Sequence, residues 1–216
     1  MNPATLDFRV DAARCTRCGL CAADCPSGII SLEGGAPPRI APADEASCIR
    51  CQHCLAVCPE GAISILGCDP AASLELPEGA WPGLDQMELL ARGRLSVRQY
   101  REENVDPALI RRLLEDVEHA PTGVNSRRLT FTVIQDRAVL ADLRTRMMEA
   151  LARALDSGRM PEHVNFLAAM VERWRVQGRD PIFRGAPHLL LVSAPSDTPT
   201  PQQDVPLALA YFELLA

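Results

Sequence analysis

The cysteines constrain this chain more than any other feature. Eight of its nine fall into two copies of one pattern. The first run is Cys15-x2-Cys18-x2-Cys21-x3-Cys25-Pro26, and the second is Cys48-x2-Cys51-x2-Cys54-x3-Cys58-Pro59. A triplet this close lets one short loop curl three thiols around a common centre, with backbone N–H groups directed at the sulfurs. The x3 step carries the fourth cysteine to the end of a helical turn. The proline after it stops the turn, because the residue before a proline is pushed out of the helical region.

This is the spacing of the bacterial run that binds a [4Fe–4S] cluster, in which the fourth cysteine ligates the other cluster of a pair. Two cubane clusters are therefore expected in one small domain, the anatomy of an electron carrier. Cys15, Cys18, Cys21 and Cys58 would hold one cluster, and Cys48, Cys51, Cys54 and Cys25 the other. Two rival readings fit less well. A zinc ribbon uses CxxC pairs, not CxxCxxC triplets each followed by Cys-Pro. Disulfides need an oxidising compartment, and nothing in the sequence points to export. His53 is read as a spacer inside the second run. Cys68, the ninth cysteine, is read as an ordinary small thiol outside both clusters.

At 216 residues the chain has room for one small domain and one larger one. An apolar fraction of 47% can build real cores, and a net charge of −6 argues against a nucleic-acid footprint. Asp7, Arg9 and Asp11 interrupt the first stretch, so it does not read as a signal peptide. No uncharged apolar run approaches the roughly 18 residues of a membrane span. A cytoplasmic protein is expected. All 22 basic residues are arginine, so any phosphate must be held by arginine or backbone, and a Walker-type lysine is excluded.

Residues 1–68 carry the cysteine runs in a repeated unit. Residues 8–10 and 29–32 read as short strands about the first run, and 63–66 echoes the second of these. Residues 69–84 read as a linker, since Asp69-Pro70, Leu76-Pro77-Glu78-Gly79 and Trp81-Pro82-Gly83 are turn-forming. Trp81 is expected to pack this linker onto one domain. From residue 85 to 216 the pattern turns helical. Asp85 reads as an N-cap, and Asp106-Pro107 as a cap followed by proline at the first helical position. Leu109, Ile110, Leu113, Leu114 and Val117 make one helical face. Residues 129–135 and 188–193 read as strands; 137–155, 162–176 and 205–215 read as helices. The fold class is α+β, with an α/β sandwich in this second part.

Three segments of the second part resemble the nitroreductase family of FMN enzymes. They are Arg94-Leu95-Ser96-Val97-Arg98, then Ala120-Pro121-Thr122-Gly123-Val124-Asn125-Ser126-Arg127, then Gly185-Ala186-Pro187 before an apolar strand, with Asp204 following. Taken with the cysteine runs, the chain resembles the subgroup in which a two-cluster ferredoxin domain precedes the nitroreductase fold. The resemblance implies that Arg94, Ser96 and Arg98 hold an FMN phosphate. It also implies that Pro121, Thr122, Gly123, Asn125 and Arg127 line the flavin of a partner subunit in a homodimer. The chemistry agrees: the arginine fork suits phosphate oxygens, a glycine turn admits close approach, and an asparagine amide can both donate and accept. The plain alternatives are an exposed basic helix end for 94–98 and a helix cap for Asn125.

The sequence also departs from the family. Arg127 stands where many members carry glutamine, and Arg128-Leu129 replaces a Pro-Trp pair, which changes the pocket wall. The family's later GLGxxxxG segment and late basic residue are not in the sequence, so the nitroreductase-like part is expected to be C-terminally incomplete. The reading is an iron–sulfur flavoprotein oxidoreductase. It would pass electrons through two [4Fe–4S] clusters and FMN to a small acceptor such as a nitroaromatic, quinone or activated alkene. The donor would be a reduced ferredoxin or NAD(P)H, and no GxGxxG fingerprint marks a dinucleotide site. The alternative is a non-enzymatic electron carrier whose C-terminal part serves docking or dimerisation. His119, His163 and His188 receive no catalytic role.

Overall fold

The two cysteine runs fold alike because left-handed residues recur at matching places in each. The computed structural model describes residues 6–160, 162–164 and 166–216. Arg17 and Arg50 adopt φ of 59° and 57°, and Gly19 and Gln52 follow at 81° and 62°. Each pair of left-handed residues delivers the chain into a one-turn helix, α1 (Leu20–Ala23) or α2 (His53–Ala56). Gly28 and Gly61, both left-handed, then turn the chain after the Cys-Pro pair. Outside glycine this conformation costs on the order of 1–2 kcal/mol per residue. Arg17, Arg50 and Gln52 hold it only because the loop around them is otherwise determined.

These loops sit on two short antiparallel ribbons. β1 (Arg9–Val10) pairs with β4 (Ile63–Ser64), with Val10 opposite Ile63. β2 (Ile30–Ser31) pairs with β3 (Arg39–Ile40), with Ile30 opposite Ile40. Leu6, Ile30, Leu55, Ile63 and Ile65 form the buried core with Cys21 and Cys54. This first unit comprises the residues up to Gly83 together with Val124–Ser126. Its last stretch contains one short helical turn, Pro70–Ala72, capped by the Asp69 carboxylate, which accepts from the Ala71 N–H at 2.9 Å. Trp81 does not pack this stretch down as expected. It is 76% exposed.

The second unit is Leu84–Gly123 with Arg127–Ala216. α3 (Leu84–Gly93) begins one residue before the expected cap, so Asp85 lies in its first turn. α4 (Pro107–Val117) is capped by Asp106, which accepts from the Ala108 N–H at 2.8 Å, with Pro107 at the first position. β5 (Thr130–Ile134) and β6 (Leu189–Ser193) form one antiparallel ribbon with Thr132 opposite Leu191. α5 (Arg137–Asp156) packs on α6 (Phe166–Gln177) through Met148, Ala152 and Val171. The expected 162–176 helix is split: Glu162–Val164 forms a separate short turn, and Asn165 lies outside the described residues. α7 (Pro201–Leu215) starts four residues earlier than expected, because Pro201 takes the first helical position, where a missing N–H costs nothing. Its Asp204 and Ala208 share a face one turn apart, and Ala208 packs against Val117 and Ala120. No helix among the described residues is long and apolar enough to cross a membrane.

Candidate cofactor sites

Two small cavities of about 20 Å³ each lie in the first unit. One is lined by Cys15, Cys18 and Cys21 of the first run and Cys58 of the second. The other is lined by Cys48, Cys51 and Cys54 of the second run and Cys25 of the first. The folding that achieves this is local. Each one-turn helix points its third cysteine inward, burying Cys21 and Cys54, while the turn after it swings the fourth cysteine away. Backbone donors face the sulfurs: the Arg50 N–H reaches Cys48 Sγ at 3.4 Å, and the Ala62 N–H reaches Cys58 Sγ at 3.2 Å.

The cavity chemistry fits a cluster. Burial pushes the Cys21 thiol up, and it pushes Cys54 to about 11. Thiolates at these places need a cationic centre to exist at neutral pH, and a thiol that ligates a metal is deprotonated outright. Each cavity is bordered by four cysteines, the ligand number of a [4Fe–4S] cluster. Cys68 lines neither cavity and packs at the edge of the core. His53 borders the second cavity, but its Nδ1 lies 3.1 Å from Asp24 Oδ2.

The expected flavin residues fall into separate places. Arg94 and Ser96 line an open cavity of about 900 Å³ in the second unit, with walls that include Leu90, Tyr100, Leu190 and Phe212. The Arg94 Nη1 donates to Glu213 Oε1 at 2.7 Å. Arg98 turns back instead, its Nη1 donating to the Ser96 carbonyl at 3.1 Å. Thr122 and Arg127 line a different cavity with Val117, Ala120, Leu129 and Phe131. There the Thr122 hydroxyl accepts the Arg127 N–H at 3.0 Å, and the Arg127 guanidinium lies 3.5 Å from Glu118. Pro121 is exposed beside them.

Gly123 N–H donates to Asp204 Oδ1 at 2.9 Å. A Cβ on Gly123 would lie 1.9 Å from the Thr200 hydroxyl, so the glycine is required by the chain's own packing. Asn125 belongs to the first unit, where its amide donates to the carbonyls of Ile49 at 3.1 Å and Arg50 at 3.0 Å. The sequence placed Asp204 in the third family-like segment without giving it a site role, and it gave Glu213 no part. The orphaned Asp204 Oδ2, buried without a partner among the described residues, is the signal only a structure supplies.

A large cavity bearing a cation and a hydroxyl on an apolar wall suits a phosphate-bearing aromatic group, and four-cysteine cavities suit iron–sulfur chemistry. Both fits agree with comparison to known families. Residues 91–216 match the model described as the nitroreductase family, and residues 14–63 match the 4Fe-4S dicluster domain. The chain belongs to the nitroreductase family and carries a 4Fe-4S dicluster domain ahead of the nitroreductase part, an oxidoreductase architecture. Among curated proteins none matches it. Solved structures similar to it include a nitroreductase with bound FMN from Bacteroides fragilis, at 22% identity, covering 61% of this chain and 64% of that one, with a TM-score of 0.49. Iodotyrosine deiodinase bound to FMN and 3-iodo-L-tyrosine is 25% identical, covering 60% of this chain and 67% of that one, with a TM-score of 0.45. The FMN-dependent nitroreductase of Mycobacterium smegmatis in complex with NADPH is also 25% identical, covering 60% and 68%, with a TM-score of 0.40. The chain thus spans about two thirds of the length of these structures.

Proposed function

We propose that this protein is an iron–sulfur flavoprotein reductase that passes electrons from two [4Fe–4S] clusters to FMN and on to a small acceptor. The observation that carries the reading is the pair of cavities in the first unit, each bordered by three cysteines of one run and one of the other. Bound clusters would supply one-electron transfer, and bound FMN the one- and two-electron chemistry that joins them to an acceptor. The protein's part is to bind, orient and tune. The eight run cysteines hold the iron, and N–H groups such as those of Arg50 and Ala62 set the charge at sulfur. Arg94, with Ser96 beside it, holds the flavin phosphate, and Arg98 joins them by releasing the Ser96 carbonyl.

The cavity bearing Arg94 and the cavity bearing Thr122 and Arg127 are separate in one chain. This supports a site shared across a homodimer, with Pro121, Thr122, Gly123, Asn125 and Arg127 reaching the flavin of the other subunit. The acceptor class is a nitroaromatic, quinone or activated alkene, and the donor is reduced ferredoxin or NAD(P)H.

Anaerobic purification followed by iron, sulfide and flavin analysis tests the reading. It expects about eight iron atoms per chain, four for each run, with FMN retained. Stoichiometric zinc without acid-labile sulfide would refute the clusters. Full iron without any flavin would refute the reductase and leave an electron carrier.

A further inference from the structure

We propose that Asp204 is a positioning residue for the flavin loop: it sets the Pro121–Thr122–Gly123 turn from beneath. The inference rests on the flavin reading of that loop. Asp204 is 2% exposed and lies in the first turn of α7, a 15-residue helix. Its Oδ1 accepts two hydrogen bonds at 2.9 Å, one from the Gly123 N–H and one from the Thr200 hydroxyl. Its Oδ2 is buried without a partner among the described residues.

Two features separate this from ordinary helix capping. Thr200 occupies the N-cap position of α7 but makes no side-chain cap. A threonine there would normally accept an N–H of the helix's own first turn; here its hydroxyl is turned to donate to Asp204 instead. The second feature is charge. An asparagine could accept the same two bonds through its carbonyl oxygen without burying a carboxylate, whose desolvation is costly. The positive end of the helix dipole offsets part of that cost. What the carboxylate adds is a charge-assisted bond to Gly123, shorter and stronger than a neutral one.

The consequence falls on the loop. Gly123 is held from one side by Asp204, and on its Cβ side Thr200 leaves no room for a methyl group. Thr122 is fixed in turn by the bond its hydroxyl accepts from the Arg127 N–H. The turn offered to a flavin is therefore built before the flavin arrives, and such preorganisation cuts the ordering cost of binding.

The test uses the intact protein and two readouts: amide hydrogen exchange at Gly123 without flavin, and FMN affinity by titration. Asp204→Ala is expected to speed Gly123 exchange and weaken FMN binding, each by about tenfold or more, the scale of losing a bond to a charged group. Asp204→Asn, which keeps an acceptor toward Gly123 but removes the charge, is expected to fall between wild type and Asp204→Ala on both. Should Asp204→Ala fail to fold, Thr200→Val removes one of the two bonds and is expected to shift both readouts in the same direction. Arg94→Ala is expected to weaken FMN without changing Gly123 exchange. Asp204→Ala or Thr200→Val protein that binds FMN as tightly as wild type overturns the positioning role alone. Wild type that protects Gly123 yet binds no FMN refutes the flavin reading and takes the positioning role with it.

Discussion

At the scale of single residues, the crossed cysteines give the sharpest expectation. Cys25 borders the cavity of the second run, so Cys25→Ser should damage the cluster bound there and spare the other. Electron paramagnetic resonance of the reduced protein reads which signal is lost; loss at the first-run cluster would reverse the assignment. Cys68→Ala should leave iron content unchanged. Glu213 offers an expectation in the opposite direction. It occupies the Arg94 guanidinium that a phosphate would need, and both side chains are about half exposed, at 43% and 52%. An exposed pair of this kind contributes roughly 0.2–1 kcal/mol, so Glu213→Gln should tighten FMN by a few-fold at most. Weaker binding would mean that Glu213 helps hold the flavin. The cysteines were legible because their spacing is local: each run spans eleven residues, and only its fourth cysteine crosses to the other cavity. Asn125 and Asp204 were not legible in this way. Asn125 finds its partners 75 and 76 residues away, and Asp204 reaches Gly123 across 81, so no spacing in the sequence announces either bond.

Elements are stabilised by polar anchors whose response to pH can be worked out. The turn after α6 winds around Asp180, which accepts N–H bonds from Ile182, Phe183 and Gly185 and faces Arg144 of α5. Burial works to raise its carboxyl, but the three N–H groups and the guanidinium outweigh it and hold the group below its ordinary value of 3.8. A carboxyl depressed by folding lends stability above its unfolded pKa and loses it as pH falls through the folded one. Thermal unfolding should therefore show an acid limb below about pH 4 to which Asp180 contributes. Asp180→Asn should flatten that limb and cost on the order of 1–3 kcal/mol at neutral pH. An unchanged acid limb would remove Asp180 from the account. The opposite sign holds for Cys54 in metal-free protein. Its thiol is raised from 9.0 to about 11, so its contribution is complete below pH 9 and is lost as pH climbs toward 11. Long elements were the legible ones. Both five-residue strands and the Asp106-Pro107 start of α4 follow from pattern and cap. β3 was missed because two residues show no period, and they stand between Pro38 and Pro42. The expected helix already contained Pro206, but its start was placed at Val205; the chain enters the helix at Pro201, where a helix tolerates proline.

At the scale of the whole molecule, the second unit carries an amphipathic helix whose apolar face is largely exposed. α3 has no buried residue, although Leu84, Met87 and Leu90 recur at helical spacing. Leu84 is 82% exposed, and Met87 and Leu90 are 46% and 45% exposed. Sequence periodicity could name this face but not what covers it, because a repeat of apolar positions looks the same against a neighbouring helix or a second subunit. Contiguous exposed apolar surface on a folded chain marks an interaction site. Leu90 of this face also borders the cavity that holds Arg94 and Ser96. Covering this surface would enclose that cavity, so assembly and flavin binding should be coupled. Leu84→Asp places a charge on the face without touching the proposed phosphate contacts. It is expected to shift the intact protein from the proposed dimer toward monomer in sedimentation and to reduce FMN retention in parallel. The iron content should stay at the wild-type level, since the cysteine cavities lie in the first unit. A variant that becomes monomeric while keeping its FMN would show that one chain completes the flavin site alone. One that remains dimeric with full FMN would place the subunit contact elsewhere on the molecule.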